Sequence, residues 1–157
     1  MAFGFAVALL TLPAAASAQL FTPDAEFIAR ASAIARENLT AARLPDGRPM
    51  PAETAEELAR PIVPAELDAQ TVRRGSLSGD MEACGLDWMA GSFEPYMARL
   101  RATARYTDKQ LAYVGLLHGF SQGVAYQVLR PHVRGCTAAM QRQLLQAASS
   151  QLELPLP

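Results

Sequence analysis

Between Thr107 and Leu129 the sequence reads TDKQLAYVGLLHGFSQGVAYQVL, and this run constrains the fold more than any other. Thr107 with Gln110 three positions later is a capping box, in which each side chain satisfies a backbone N–H of the other at a helix start. Leu111, Val114, Leu117, Val124, Ala125 and Val128 recur at helical spacing and make one broad apolar face. Gly115, Gly119 and Gly123 fall one turn apart on the other side. Each costs a helix interior about 1 kcal/mol against alanine. The spacing therefore predicts a central helix with a second backbone pressed against its glycine stripe.

Around that helix the sequence predicts an all-α fold, a small bundle with an N-terminal helical arm. No run of β-branched residues alternates with period two. Thr22 followed by Pro23 predicts a helix start, and Phe27, Ile28, Ala31, Ile34 and Ala35 give it an apolar face to about Ala42. Turn residues fill Leu44 to Pro51, and a short polar helix is expected from Glu53 to Arg60. Ala65 to Val72 have room for a turn or two of helix. Residues 19–75 thus read as an arm with a proline-rich linker, and residues 76–151 as the core. A helix capped by Ser78 is expected to run to about Ala104, kinked or broken into two where Pro95 presses on the carbonyl of Gly91. A last helix spans Val133 to Gln151, and residues 152–157 read as a frayed tail.

The start of the chain bears on compartment. Ala2 to Leu12 are apolar apart from Gly4 and Thr11, Pro13 follows, and Ala16-Ser17-Ala18 fits the small-x-small pattern of an export signal cleaved before Gln19. No Lys or Arg precedes the apolar run, a departure from the usual pattern. The run is also shorter than the roughly 20 residues that a membrane span needs. The expected location is the periplasm or the exterior, with no span left once the signal is removed. An oxidising compartment favours a disulfide between Cys84 and Cys136, the only two cysteines.

Charge is nearly balanced over the whole chain but not along it. The formal net charge is −1, with thirteen Arg and a single Lys among the basic residues. Residues 19–69 are acidic on balance, whereas residues 96–142 hold seven basic side chains against Asp108 alone. One reading lays the acidic arm over the basic core. The other makes Arg99, Arg101, Arg105, Lys109, Arg130 and Arg134 a face for another envelope protein or an anionic envelope polymer. Nucleic acid is not an expected partner, and a homodimer is compatible with the sequence.

Candidate chemistry is sparse. Gly119-Phe120-Ser121-Gln122-Gly123 has the form G-x-S-x-G, but a nucleophile elbow needs a strand before the serine, and here the five residues lie inside a helix. His118, one turn from Gln122, is the one candidate general base, with a satisfied core histidine as the plainer reading. No ligand spacing for a metal and no cofactor motif is present. Trp88, Phe93 and Tyr96 at helical spacing read as core, and Asp87 with Glu94 does not make a catalytic carboxylate pair.

Two cysteines about fifty residues apart in an exported all-α chain, with Ser92-Phe93-Glu94-Pro95 shortly after the first, resemble the acid-stress periplasmic chaperone family. The likeness covers Ser78 to Thr137. It implies a one-disulfide helical scaffold that loses dimer contacts at low pH and exposes apolar surface. The arm, the glycine helix and the few acidic residues in the core depart from that pattern. The functional expectation is an exported, non-enzymatic binding or stress-response protein. The alternative is a small secreted hydrolase or lytic enzyme using His118.

Overall fold

The computed structural model describes residues 20–44 and 46–157; the expected signal segment lies outside them. Among the described residues the fold is all-α, with six helices: α1 (Ala25–Glu37), α2 (Ala55–Leu58), α3 (Ala65–Ala83), α4 (Glu94–Ala102), α5 (Asp108–Leu129) and α6 (Ala138–Glu153). A π-helical turn, Met89–Phe93, leads into α4, and a 3₁₀ stretch, Arg130–Gly135, leaves α5. No helix of the described residues is long and apolar enough to cross a membrane.

The innermost helix is α3, not α5. Eleven of the 19 residues of α3 are buried, against seven of the 22 in α5. Its burial is hard to see in sequence because much of its core face is small and polar. Ser76 and Ser78 donate back to the carbonyls of Val72 and Arg74 at 2.9 and 3.0 Å, so both hydroxyls are satisfied within the helix. Gly75 and Gly79 let α5 close on it: a methyl at Gly75 would run into the His118 carbonyl and lie 2.8 Å from Ser121 Cβ. One at Gly79 would strike the Gln122 carbonyl and come within 2.7 Å of the Tyr126 nitrogen. Pairs advance together along both helices, Asp68 with Tyr113, then Ser78 with His118, then Gly79 with Gln122, so α3 and α5 run parallel. In contrast, α4 and α6 run antiparallel to α3, as Tyr96 meets Thr71 and Ser92 meets Ser78, while Ala148 meets Arg74 and Gln141 meets Cys84.

The boundary expected at residue 75 therefore falls inside one helix, and Ser78 is a buried mid-helix residue rather than a cap. The main core takes Phe27, Ala31, Ala35, Leu39, Met50 and Val63 from the expected arm together with Tyr96, Leu100, Val114 and Leu117. The arm is half of the core. Its first helix is capped by Asp24, whose carboxylate accepts from the Phe27 N–H at 2.7 Å, and not by Thr22. The capping box expected at Thr107 forms, and a second, Thr54 with Glu57, opens α2.

Two helix boundaries differ from those the sequence predicts. After α3 the chain turns through Gly85 at φ +73°, with Leu86 N–H on the Met81 carbonyl and Gly85 N–H on that of Glu82, both at 2.9 Å. This is a Schellman stop, so no helix continues from Cys84 to Ala104. Pro95 sits within the first turn of α4, and the widened turn just before it absorbs the lost hydrogen bond. Cys84 and Cys136 are bonded, with Cα atoms 5.5 Å apart, and so join the end of α3 to the approach to α6.

Candidate functional site

A polar layer crosses the waist of the bundle between the main core and a smaller apolar cluster of Leu77, Met81, Leu129, Leu144 and Ala148. It is built from Arg74 and Ser78 of α3, Ser92 of the π turn and His118 of α5, each nine-tenths buried or more. Ser78 Oγ stands 2.7 Å from Ser92 Oγ and 3.0 Å from His118 Nε2. The imidazole is roofed by Phe93 and Trp88, ring centroids 4.6 and 6.1 Å away. Burial, with the Arg74 charge adding to it, pushes the His118 pKa down to about 3. The ring is therefore neutral at physiological pH.

Arg74 carries a buried charge whose hydrogen-bond partners are carbonyl oxygens. It donates to Ala148 at 2.6 Å, and through two nitrogens to Ser92 at 3.2 and 3.4 Å. Burial lowers its pKa to about 10, which still leaves it protonated near neutrality. A cation held by peptide carbonyls ties three separate segments, α3, the π turn and α6, to one point. Such a group specifies geometry more than it stabilises.

As an active site this layer lacks an opening. His118 is 1% exposed, and its Ser78 partner is 0% exposed. Ser121 of the G-x-S-x-G match is a mid-helix residue donating to the Leu117 carbonyl at 2.8 Å. Asp87 and Glu94 are exposed, and Tyr96 bonds Thr71 at 2.7 Å in the core. Among the described residues no cluster of three potential metal ligands occurs.

The glycine stripe is the feature that reaches the surface. Among the described residues nothing lies within 4 Å of where a methyl would sit at Gly115, Gly119 or Gly123. The expected second backbone is absent from that face; the helix–helix notch belongs to Gly75 and Gly79 instead, on the far side of α5. The stripe lines two adjoining hollows of about 560 and 460 Å³ that share Gly119 and Phe120. Val124 and Val128 border one; Leu116, Ile34, Ala35 and Ala41 border the other. Asn38 and Gln127 are the polar liners, and none of the lining side chains is ionisable. Val128 is 46% exposed beside it.

The basic residues do not form one free face. Arg99 and Arg105 donate to carbonyls of residues 152–157. Lys109 is held by both oxygens of Glu57, at 2.9 and 3.0 Å, which is one contact of the acidic segment with the basic core. Arg130 lies over the Tyr126 ring at 6.0 Å, Arg101 is exposed, and the Arg134 side chain is outside those described. Next to Lys109 a charged hollow of about 330 Å³ is lined by Glu53, Glu57, Arg60 and Gln110, and Glu53 is engaged by Arg36 at 2.8 and 2.9 Å.

Sequence reasoning missed Arg74, and it named Ser92 only within a motif, not as a partner of Ser78. The available signal was the Gly75–Gly79 pair, with the same four-residue spacing as the stripe in α5. Comparisons supply no relative to lean on: no protein-family model, no curated protein and no solved structure matches this chain.

Proposed function

We propose that the protein is an exported, non-enzymatic binding protein that holds apolar segments of another envelope protein in the groove along the glycine stripe of α5. The observation that carries this reading is the open face of Gly115, Gly119 and Gly123, bordered by Leu116, Phe120, Val124 and Val128. Three glycines lower helix stability by about 1 kcal/mol each, and among the described residues no neighbour takes the space they leave. A glycine notch lets a partner helix or strand approach the backbone closely, and the uncharged rim selects for apolar side chains. The disulfide supports the exported half of the proposal, because cytosolic thiols stay reduced. The hydrolase alternative gains no support from His118, closed under Trp88 and Phe93.

Gly119→Trp tests the reading, since it fills the groove from an exposed position. The oxidised protein should slow the aggregation of a thermally unfolded client with no reductant present, at neutral pH and at about pH 3. The tryptophan variant should lose that activity while keeping its helical circular dichroism. Equal activity in both proteins, or none in either, would remove the groove as the binding surface.

A further inference from the structure

Residues 152–157 are not frayed; they are gripped. Arg99 donates to the carbonyl of Leu152 and, at 3.0 Å, to that of Leu154. Gln70 Nε2 reaches the Pro155 carbonyl at 3.2 Å. Arg105 donates to the Leu156 carbonyl at 3.3 Å and to a backbone oxygen of Pro157 at 2.8 Å, and the Tyr106 hydroxyl adds a second bond to that Pro157 oxygen at 2.7 Å. Four peptide carbonyls and the Pro157 oxygen thus accept from side chains of α3, of α4 and of the loop after it. Leu152 and Leu156 pack against the main core, whereas Leu154 is 49% exposed. Leu154 leaves α6 with φ −60° and ψ 139°, polyproline II backbone.

This is the arrangement by which peptide-recognition modules hold proline-containing ligands: donors aimed at the backbone, pockets for spaced apolar side chains, and an extended chain with little conformational freedom left to lose. We infer that Gln70, Arg99, Arg105 and Tyr106 form a peptide-binding site occupied in cis by the chain's own tail, and that it accepts extended, proline-interrupted, leucine-bearing peptides of a partner protein when the tail is displaced. Because the donors read backbone oxygens, the site fixes the path of the segment that follows α6, and the pocket filled by Leu156, beside Leu152 in the last turn of α6, sets the side-chain requirement. The tethered tail competes at an effective concentration of about millimolar, which keeps the site shut to weak ligands. None of these residues lines the α5 groove, so the two sites stand or fall separately.

The probe is a fluorescein-labelled peptide of sequence QLELPLP, titrated by anisotropy against the full chain. Leu156→Glu, which ejects the tail from its pocket, should bind it at least about tenfold more tightly than the unaltered chain. Adding Arg99→Ala and Arg105→Ala in that background should abolish the gain, while Arg105→Lys restores part of it. If Leu156→Glu does not fold, Leu156→Ala serves for the same comparison. Failure of the peptide to bind any tail-displaced chain, or binding indifferent to both arginines, would reduce the tail to a structural strap and overturn the inference.

Discussion

Ser78 Oγ and His118 Nε2 meet at 3.0 Å in a layer where neither residue has appreciable access to solvent. The contact joins the two central helices at their waist and fixes a neutral imidazole there. Its energetic signature is a dependence on pH.

His118 resists protonation from its ordinary 6.5 down to about 3, so between those values the unfolded chain binds one more proton and stability falls as the solution is acidified. Asp80 does the opposite. It is 2% exposed, accepts one bond from the Phe21 N–H at 3.3 Å, and among the described residues has no partner for its second oxygen. Burial raises its pKa from 3.8 to about 7, so the folded chain holds the extra proton and stability falls as pH rises through that window. From about pH 4 to 6.5 the two effects oppose each other. His118→Asn should therefore tilt the stability profile upward toward acid, and Asp80→Asn should tilt it downward. Each change of slope has a limit of about 1.4 kcal/mol per pH unit. Urea titrations at pH 4, 5, 6 and 7 measure it; parallel profiles for both variants would show that neither group is perturbed.

A matched pair of glycine substitutions separates the notch from the stripe. Gly79→Ala places a methyl against the Gln122 carbonyl and should destabilise the fold by about 1–3 kcal/mol as α5 backs away. Gly119→Ala meets open space and should stabilise it by about 1 kcal/mol. Denaturant midpoints decide the matter, and shifts of the same sign would contradict the placement of the two faces.

Part of this was legible in the chain itself. The start of α5 and the pairing of Cys84 with Cys136 follow from local rules, a capping box and a lone cysteine pair, and both stand in the structure. The interior position of α3 does not follow from such rules. Periodicity finds helices by their apolar stripe, and α3 turns Thr71, Arg74, Ser76, Ser78 and Asp80 inward. Their burial is tolerated because serines bond their own helix and Arg74 finds carbonyls from other segments, relationships that span up to 74 positions. The hold on the tail is hidden from sequence for a similar reason: its composition is that of a loose end, and the donors that hold it are about fifty positions away or more.

Reduction of the disulfide should cost the protein much of its margin. In the chain-entropy description, a bridge between cysteines 52 positions apart contributes about 4 kcal/mol. The double variant Cys84→Ser, Cys136→Ser should lose about that much in a urea titration, and the unaltered protein under dithiothreitol should match it. A loss below about 1 kcal/mol would mean that packing of α6 on α3 suffices without the bond.

Neighbouring helices that point the same way cannot be joined by a tight hairpin. The chain must first travel back along the bundle through α4 before Gln122 can settle over Gly79. The closest backbone seam in the molecule thus depends on pieces made far apart in synthesis, and a fragment ending before α5 leaves both notches of α3 without a tenant. Shortening this protein from its later half should yield a polar-lined rod looking for a mate, not a smaller bundle.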